Sequence, residues 1–277
     1  MKMSNMLVRL RTAIVFVILF IGLVVGHEYS YLLLMVAIIA LSLNEFLTLF
    51  SHTREKNRIS FWYKPLAITM GVSIFILTYL AAHNIWPYTW PIFLAIAPLS
   101  FFIIELWADS ANPFRNIAIN ALGLIYIAFP IGLLNFMAIT DGEYNYKIVL
   151  SLIFIVWAYD AGAYVFGTKF GKHKLFERVS PGKTWEGSMG GLISALLIAY
   201  AVHLVFNPYP LQDWLIIAVI ICIFGTFGDL IESMLKRSLN IKDSGTLMPG
   251  HGGMLDRFDA VYFMLPFVYL YIKLVVR

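Results

Sequence analysis

Asp229, Glu232, Ser233 and Lys236 stand at i, i+3, i+4 and i+7, a spacing that stacks them along one stripe of a helix. Asp256 and Asp259 follow three apart at the start of the next apolar segment, after a stretch rich in Lys, Arg and Gly. Two carboxylate-bearing helix ends joined by a hairpin-like loop can converge. Carboxylates with water and phosphate oxygen suit Mg²⁺, and convergent carboxylates suit a two-metal phosphoryl-transfer site. The same residue types also permit a salt-bridge network among Asp229, Lys236, Arg237, Asp256 and Arg257. Hydrocarbon suits neither arrangement, because one Asp, Lys or Arg at the centre of a spanning helix costs roughly 2.5–3.5 kcal/mol. These side chains need each other, water or a ligand.

Two further polar clusters lie upstream. In WAYDAGAYVFG, residues 157–167, helical spacing puts Trp157, Asp160, Tyr164 and Gly167 on one face. Asp160 is the informative residue there, either as part of a site or as a helix-to-helix hydrogen bond. The small residues Ala158, Ala161, Gly162 and Ala163 read as close helix packing. In RVSPGKTWEG, residues 178–187, Gly182, Lys183 and Thr184 resemble the end of a P-loop, but Glu177 stands where that pattern needs glycine and no strand precedes it. Ser180-Pro181-Gly182 instead predicts a turn, with Thr184 or Ser180 capping a helix that starts near Trp185. Exposed amides at that helix start, beside Lys183, would make a competent phosphate site.

The elements that must position these clusters are apolar helices. Of 277 residues, 60% are hydrophobic and 13% charged, which describes a polytopic membrane protein and not a soluble core. About nine spans are predicted, near 12–26, 29–50, 65–82, 90–107, 117–139, 148–167, 186–206, 213–232 and 259–276, so the fold class is all-α. The segments are continuously apolar without period-two alternation, which argues against a strand barrel. With the N-terminus in the cytosol, 17 of the 20 Lys and Arg residues fall on the cytosolic side, leaving Lys147, Lys273 and Arg277 outside. The polar connections 168–185 and 233–258 are then cytosolic. The basic start and apolar run from Thr12 resemble a signal peptide, yet no small-residue cleavage site follows, and a retained first span is expected. Cys222 is alone, excludes an intramolecular disulfide and reads as a packing residue. The chain is expected to form one membrane domain, 1–277, with no motif in the first 140 residues and the catalytic spans in 141–277.

The run from Ser233 to Asp259, with Lys236-Arg237, Lys242-Asp243, His251-Gly252-Gly253, Asp256-Arg257 and Asp259, resembles the signature of the phosphatidate cytidylyltransferases, also called CDP-diacylglycerol synthases. The WAYDAGAYVFG and SPGKTWEG segments resemble that family's other blocks. The resemblance implies condensation of CTP with phosphatidic acid at the cytosolic face of a membrane, giving CDP-diacylglycerol and pyrophosphate. It implies Asp229, Asp256 and Asp259 as metal ligands, with Asp160 completing the site, and Mg²⁺ as cofactor, with more than one divalent or monovalent cation present. Lys183, Ser233, Lys236, Arg237, Lys242 and Arg257 would bind substrate phosphates, and His251 would donate a proton or contact a phosphate. CTP, phosphatidic acid and the bilayer are the expected partners, with no nucleic acid; a homodimer and a bacterial inner-membrane location are what the family suggests.

Two rivals accompany this reading. A CTP-dependent polyprenol or dolichol kinase shares donor and lipid acceptor but would lack the full signature. A cation or proton transporter would use Asp160, Asp229 and Glu232 as a relay, yet has no evident use for a glycine-rich loop dense in Lys and Arg.

Overall fold

A computed structural model describes residues 3–51, 63–86, 90–108, 110–206, 208–247 and 252–276. Most of them are helical, as continuous apolar runs require, since in hydrocarbon every backbone N–H and C=O must be satisfied within its own segment. The order is α1 (Met3–Gly26), α2 (Glu28–Ser51), α3 (Tyr63–Ala82), α4 (Trp90–Ala108), α5 (Pro113–Gly123), α6 (Phe129–Ala138), β1 (Ile139–Thr140), β2 (Glu143–Tyr144), α7 (Tyr146–Phe170), β3 (Lys174–Phe176), β4 (Ser180–Thr184), α8 (Trp185–Val205), α9 (Leu211–Ser238) and α10 (Leu255–Tyr271). Among the described residues, seven helices are long and apolar enough to cross a membrane; the first and fourth of the expected spans correspond to the shorter apolar stretches Arg11–Gly26 and Ile96–Ala108. The protein is an all-α, polytopic integral membrane protein.

By its internal contacts the chain forms two compact units, Met1–Tyr144 with Asp243–Arg257, and Asn145–Lys242 with Phe258–Arg277. In the first unit, α5 and α6 form one span interrupted by a π-helical turn at Leu124–Ala128, in which Phe129 N–H reaches back to the Leu124 carbonyl. The cause is Pro130, which has no N–H to give and whose ring crowds the preceding turn. Gly71 on α3 and Gly123 on α5 both press against Leu43 of α2, so glycine lets these backbones approach. A buried amide ties the same helices together: Asn135 Oδ1 accepts from the Tyr31 hydroxyl at 2.9 Å, and its Nδ2 donates to the Phe75 carbonyl at 3.1 Å and Thr78 Oγ1 at 3.0 Å. Lys64 donates to Thr48 where α2 ends and α3 begins, and His83 pairs with Glu28 where α2 begins and α3 ends. The β1–β2 hairpin turns through Asp141 and Gly142, both with positive φ, the dipeptide that a two-residue hairpin loop favours.

In the second unit, α7 packs on α8 with little room for side chains. A Cβ at Gly191 would lie 2.8 Å from Tyr159, one at Gly187 would lie 2.8 Å from the Ala163 carbonyl, and Gly162 faces Ser194 and Gly190. The small-residue reading of 158–163 holds at Gly162 and Ala163. α9 meets α10 equally closely at Gly228, where a Cβ would come 2.5 Å from the Asp259 carbonyl oxygen. Phe224 stacks on Phe267 with ring centroids 3.5 Å apart. Cys222 is free and buried among the α9 packing residues, as expected. One local expectation is corrected. Ser180-Pro181-Gly182 is not a turn but part of strand β4, paired antiparallel with β3, and the turn lies at 177–179. Proline is tolerated there because a two-stranded hairpin has only edge strands.

Candidate active site

Five of the expected site residues, Asp160, Lys183, Asp229, Ser233 and Asp259, lie in the second unit and interact with one another. The β3–β4 hairpin closes against the start of α8, with Trp185 N–H donating to the His173 carbonyl at 3.0 Å, and so presents Lys183 on its last strand. Lys183 Nζ lies 2.5 Å from Asp229 Oδ2, with the two side chains 24% and 39% exposed. The other Asp229 oxygen accepts from Ser233 Oγ at 3.2 Å, one helical turn further along α9. Asp259 Oδ1 accepts from the N–H of Ala260 at 2.7 Å, and Asp229, Asp160 and Lys183 are its electrostatic neighbours. Glycine at 228 is what allows this, because it brings the backbones of α9 and α10 together next to Asp229 and Asp259.

The stripe predicted on α9 is present, and its second turn is a closed pair: Lys236 Nζ lies 2.5 Å from Glu232 Oε2, and the Glu232 side chain is fully buried. Arg237 is exposed and reaches the Ile241 carbonyl, where it supports the end of the helix. Lys242 is exposed. At the start of α8, Thr184 and not Ser180 is the cap, its hydroxyl accepting from Gly187 N–H at 3.1 Å. Glu186 accepts from Lys172 N–H at 3.0 Å and from His173 Nδ1 at 2.6 Å, folding the 171–173 segment onto the helix start. Lys183 is directed to Asp229.

Asp256 belongs to the first unit, with the loop that precedes it. Its Oδ2 accepts from Ser244 N–H at 2.9 Å, Ser244 Oγ at 2.8 Å and Gly253 N–H at 2.8 Å. Arg257 is exposed. His251 lies outside the described residues, as do Pro249 and Gly250. The residue that sequence reasoning missed is Glu45 on α2, whose Oε2 accepts from Leu255 N–H at 2.9 Å and Ser244 Oγ at 3.3 Å. A signal was available: Glu45 is an acid inside an otherwise apolar span, a feature that by itself suggests a role.

Asp160, Asp229, Asp259 and Lys183 interact electrostatically as one group, with Lys183 paired directly to Asp229. The carboxylate donors are oxygens, the type that Mg²⁺ takes, and the ammonium beside Asp229 already partners one of them. Among the described residues, no three Asp, Glu, His or Cys side chains are grouped tightly enough to hold a metal ion together. By type alone, lysine suits phosphate oxygens and carboxylates suit the cations that accompany them.

A family model described as the cytidylyltransferase family matches residues 7–275. The chain is 40% identical over 176 residues to the phosphatidate cytidylyltransferase of Staphylococcus haemolyticus (strain JCSC1435), covering 62% of this chain and 66% of that protein. It is 39% identical over 176 residues to the protein of the same name from Staphylococcus aureus (strain COL), with the same coverage. With the Bacillus subtilis (strain 168) phosphatidate cytidylyltransferase it shares 43% identity over 133 residues, 48% of this chain and 49% of that one. The chain thus spans just under two thirds of the length of these staphylococcal relatives. With residues 7–275 matched by the family model, nearly the whole of its length, this chain belongs to the cytidylyltransferase family.

Proposed function

We propose that this membrane protein is a phosphatidate cytidylyltransferase, a nucleotidyltransferase that converts CTP and phosphatidic acid to CDP-diacylglycerol and pyrophosphate. The observation that carries the reading is the pairing of Lys183 with Asp229, whose other oxygen is held by Ser233, in a chain of this family. In the reaction a phosphate oxygen of the lipid attacks the α-phosphorus of CTP, the bond to the β-phosphate breaks, and pyrophosphate leaves. This transfer asks mainly for positioning and charge neutralisation. Lys183 holds a phosphate of the nucleotide. Asp229 and Asp259 would hold Mg²⁺, with Asp160 completing the set, and the family resemblance would add Asp256. The chemistry that Mg²⁺ would supply there is neutralisation of the triphosphate and of the charge on the departing pyrophosphate. Ser233 orients Asp229, while Lys236, Arg237, Lys242, Arg257 and His251 are assigned to phosphate contacts.

In the proposed topology α1 and α4 join the seven longer helices as spans, and the positive-inside rule favours a cytosolic side for the two polar connections. The lipid acceptor is then taken from the inner membrane of a bacterium, by a protein that assembles as a homodimer. Purified protein supplied with phosphatidic acid and CTP labelled at the α-phosphorus tests the activity: label should become chloroform-soluble. A polyprenol kinase would transfer only label from the γ-phosphorus, and a transporter neither; either result refutes the proposal.

A further inference from the structure

We infer that Glu45 is a positioning residue: from the part of the chain without a motif, it holds Ser244, Gly245 and Gly253 in place and sets the entry into α10. The inference builds on the proposed activity only for what that placement achieves. Leu255 is the first residue of α10, so its N–H is among the donors that a helix start cannot satisfy internally. Glu45 Oε2 accepts it at 2.9 Å, putting a negative charge at the positive end of the helix dipole. Ser244 Oγ, 3.3 Å from the same oxygen and 2.8 Å from Asp256 Oδ2, links Glu45 to the signature carboxylate.

The glycines of the loop support the assignment. Within the described part of the loop only Gly252 has a positive φ, so Gly245 and Gly253 are not glycine for backbone freedom. A Cβ at Gly245 would lie 2.8 Å from Glu45 Oε1, and one at Gly253 would overlap Glu45 Oε2 and stand 2.5 Å from Ser244 Oγ. Their missing side chains make room for the Glu45 carboxylate. Asp256 and Asp259 lie one turn apart on α10, so a shift in the loop is passed to both as a change in helix entry.

Full-length protein in detergent, compared as wild type, Glu45→Gln, Glu45→Ala and Gly253→Ala, tests this by hydrogen exchange and kinetics together. Gln keeps an acceptor oxygen and should exchange like wild type. Glu45→Ala and Gly253→Ala should exchange faster in 243–257 while 146–170 is unchanged, and kcat should fall about 10²-fold, the scale of a misplacement of about 1 Å, with the KM for CTP little altered. Unchanged exchange in 243–257, or an equal rise throughout the chain, overturns the positioning role. If wild-type protein transfers no label, the proposed activity falls, and the exchange comparison still decides the role of Glu45.

Discussion

Lys183 Nζ sits 2.5 Å from Asp229 Oδ2, and this one contact joins the β3–β4 hairpin to α9. Partly exposed ion pairs contribute only about 0–1 kcal/mol to stability. On the proposed function, the significance of this pair lies in what it places: the lysine assigned to a nucleotide phosphate beside a carboxylate assigned to a metal ion.

Asp229→Asn should insert and purify but lose at least ~10²-fold in turnover, the loss expected for one strong electrostatic stabiliser. Lys183→Ala should raise the KM for CTP or lower kcat and leave the phosphatidic acid dependence nearly unchanged, with Lys183→Arg restoring activity in part. Steady-state kinetics on the double variant Lys183→Asp, Asp229→Lys separates the roles. Wild-type turnover in that swapped pair would make the contact purely structural.

Gly225 and Gly228 face the same helix with different room. Gly225→Ala should be silent, because its Cβ would meet only the Ala260 methyl at 3.5 Å. Gly228→Ala should destabilise by about 1–3 kcal/mol, the range for overpacking, since its Cβ would lie 2.5 Å from the Asp259 carbonyl oxygen and 2.9 Å from Phe263. It should also lower activity by parting α9 from α10. Thermal unfolding in detergent and turnover of both variants check this, and equal behaviour would exclude the close-approach account.

The segregation of 17 of 20 basic residues predicts the sidedness of the loops. After replacement of Cys222, cysteines at Lys172 and Glu143 should react with an impermeant maleimide from opposite sides of sealed vesicles. Glu143 is preferable to Gly142, whose φ of +80° would strain any side chain. Labelling of both from one side rejects the nine-span topology.

Asn135 joins Tyr31, Phe75 and Thr78 in the first unit. Asn135→Ala leaves buried polar groups without this partner and should cost about 1–3 kcal/mol. The purified variant should melt earlier but keep its kinetic constants at low temperature. A change in the KM for CTP without a change in melting would place Asn135 in substrate binding.

The membrane class, the approximate spans, the basic asymmetry and the cytidylyltransferase signature were all legible in the chain. Each depends on residues that are neighbours in sequence or on composition summed over a window, as the Asp229, Glu232, Ser233 and Lys236 stripe does. Only the tertiary structure decided that Lys183 meets Asp229, that Ser233 holds the other Asp229 oxygen, and that Glu45 receives the start of α10. Helices apolar on all sides carry little periodic contrast, so their sequences do not say which face meets which neighbour. That choice was made by close-packing at Gly162, Gly187, Gly191 and Gly228 and by polar groups that had to find partners away from lipid. Strand β4 was hidden for the same reason: Ser180-Pro181-Gly182 has the local chemistry of a turn, and its extended form exists because β3 lies beside it.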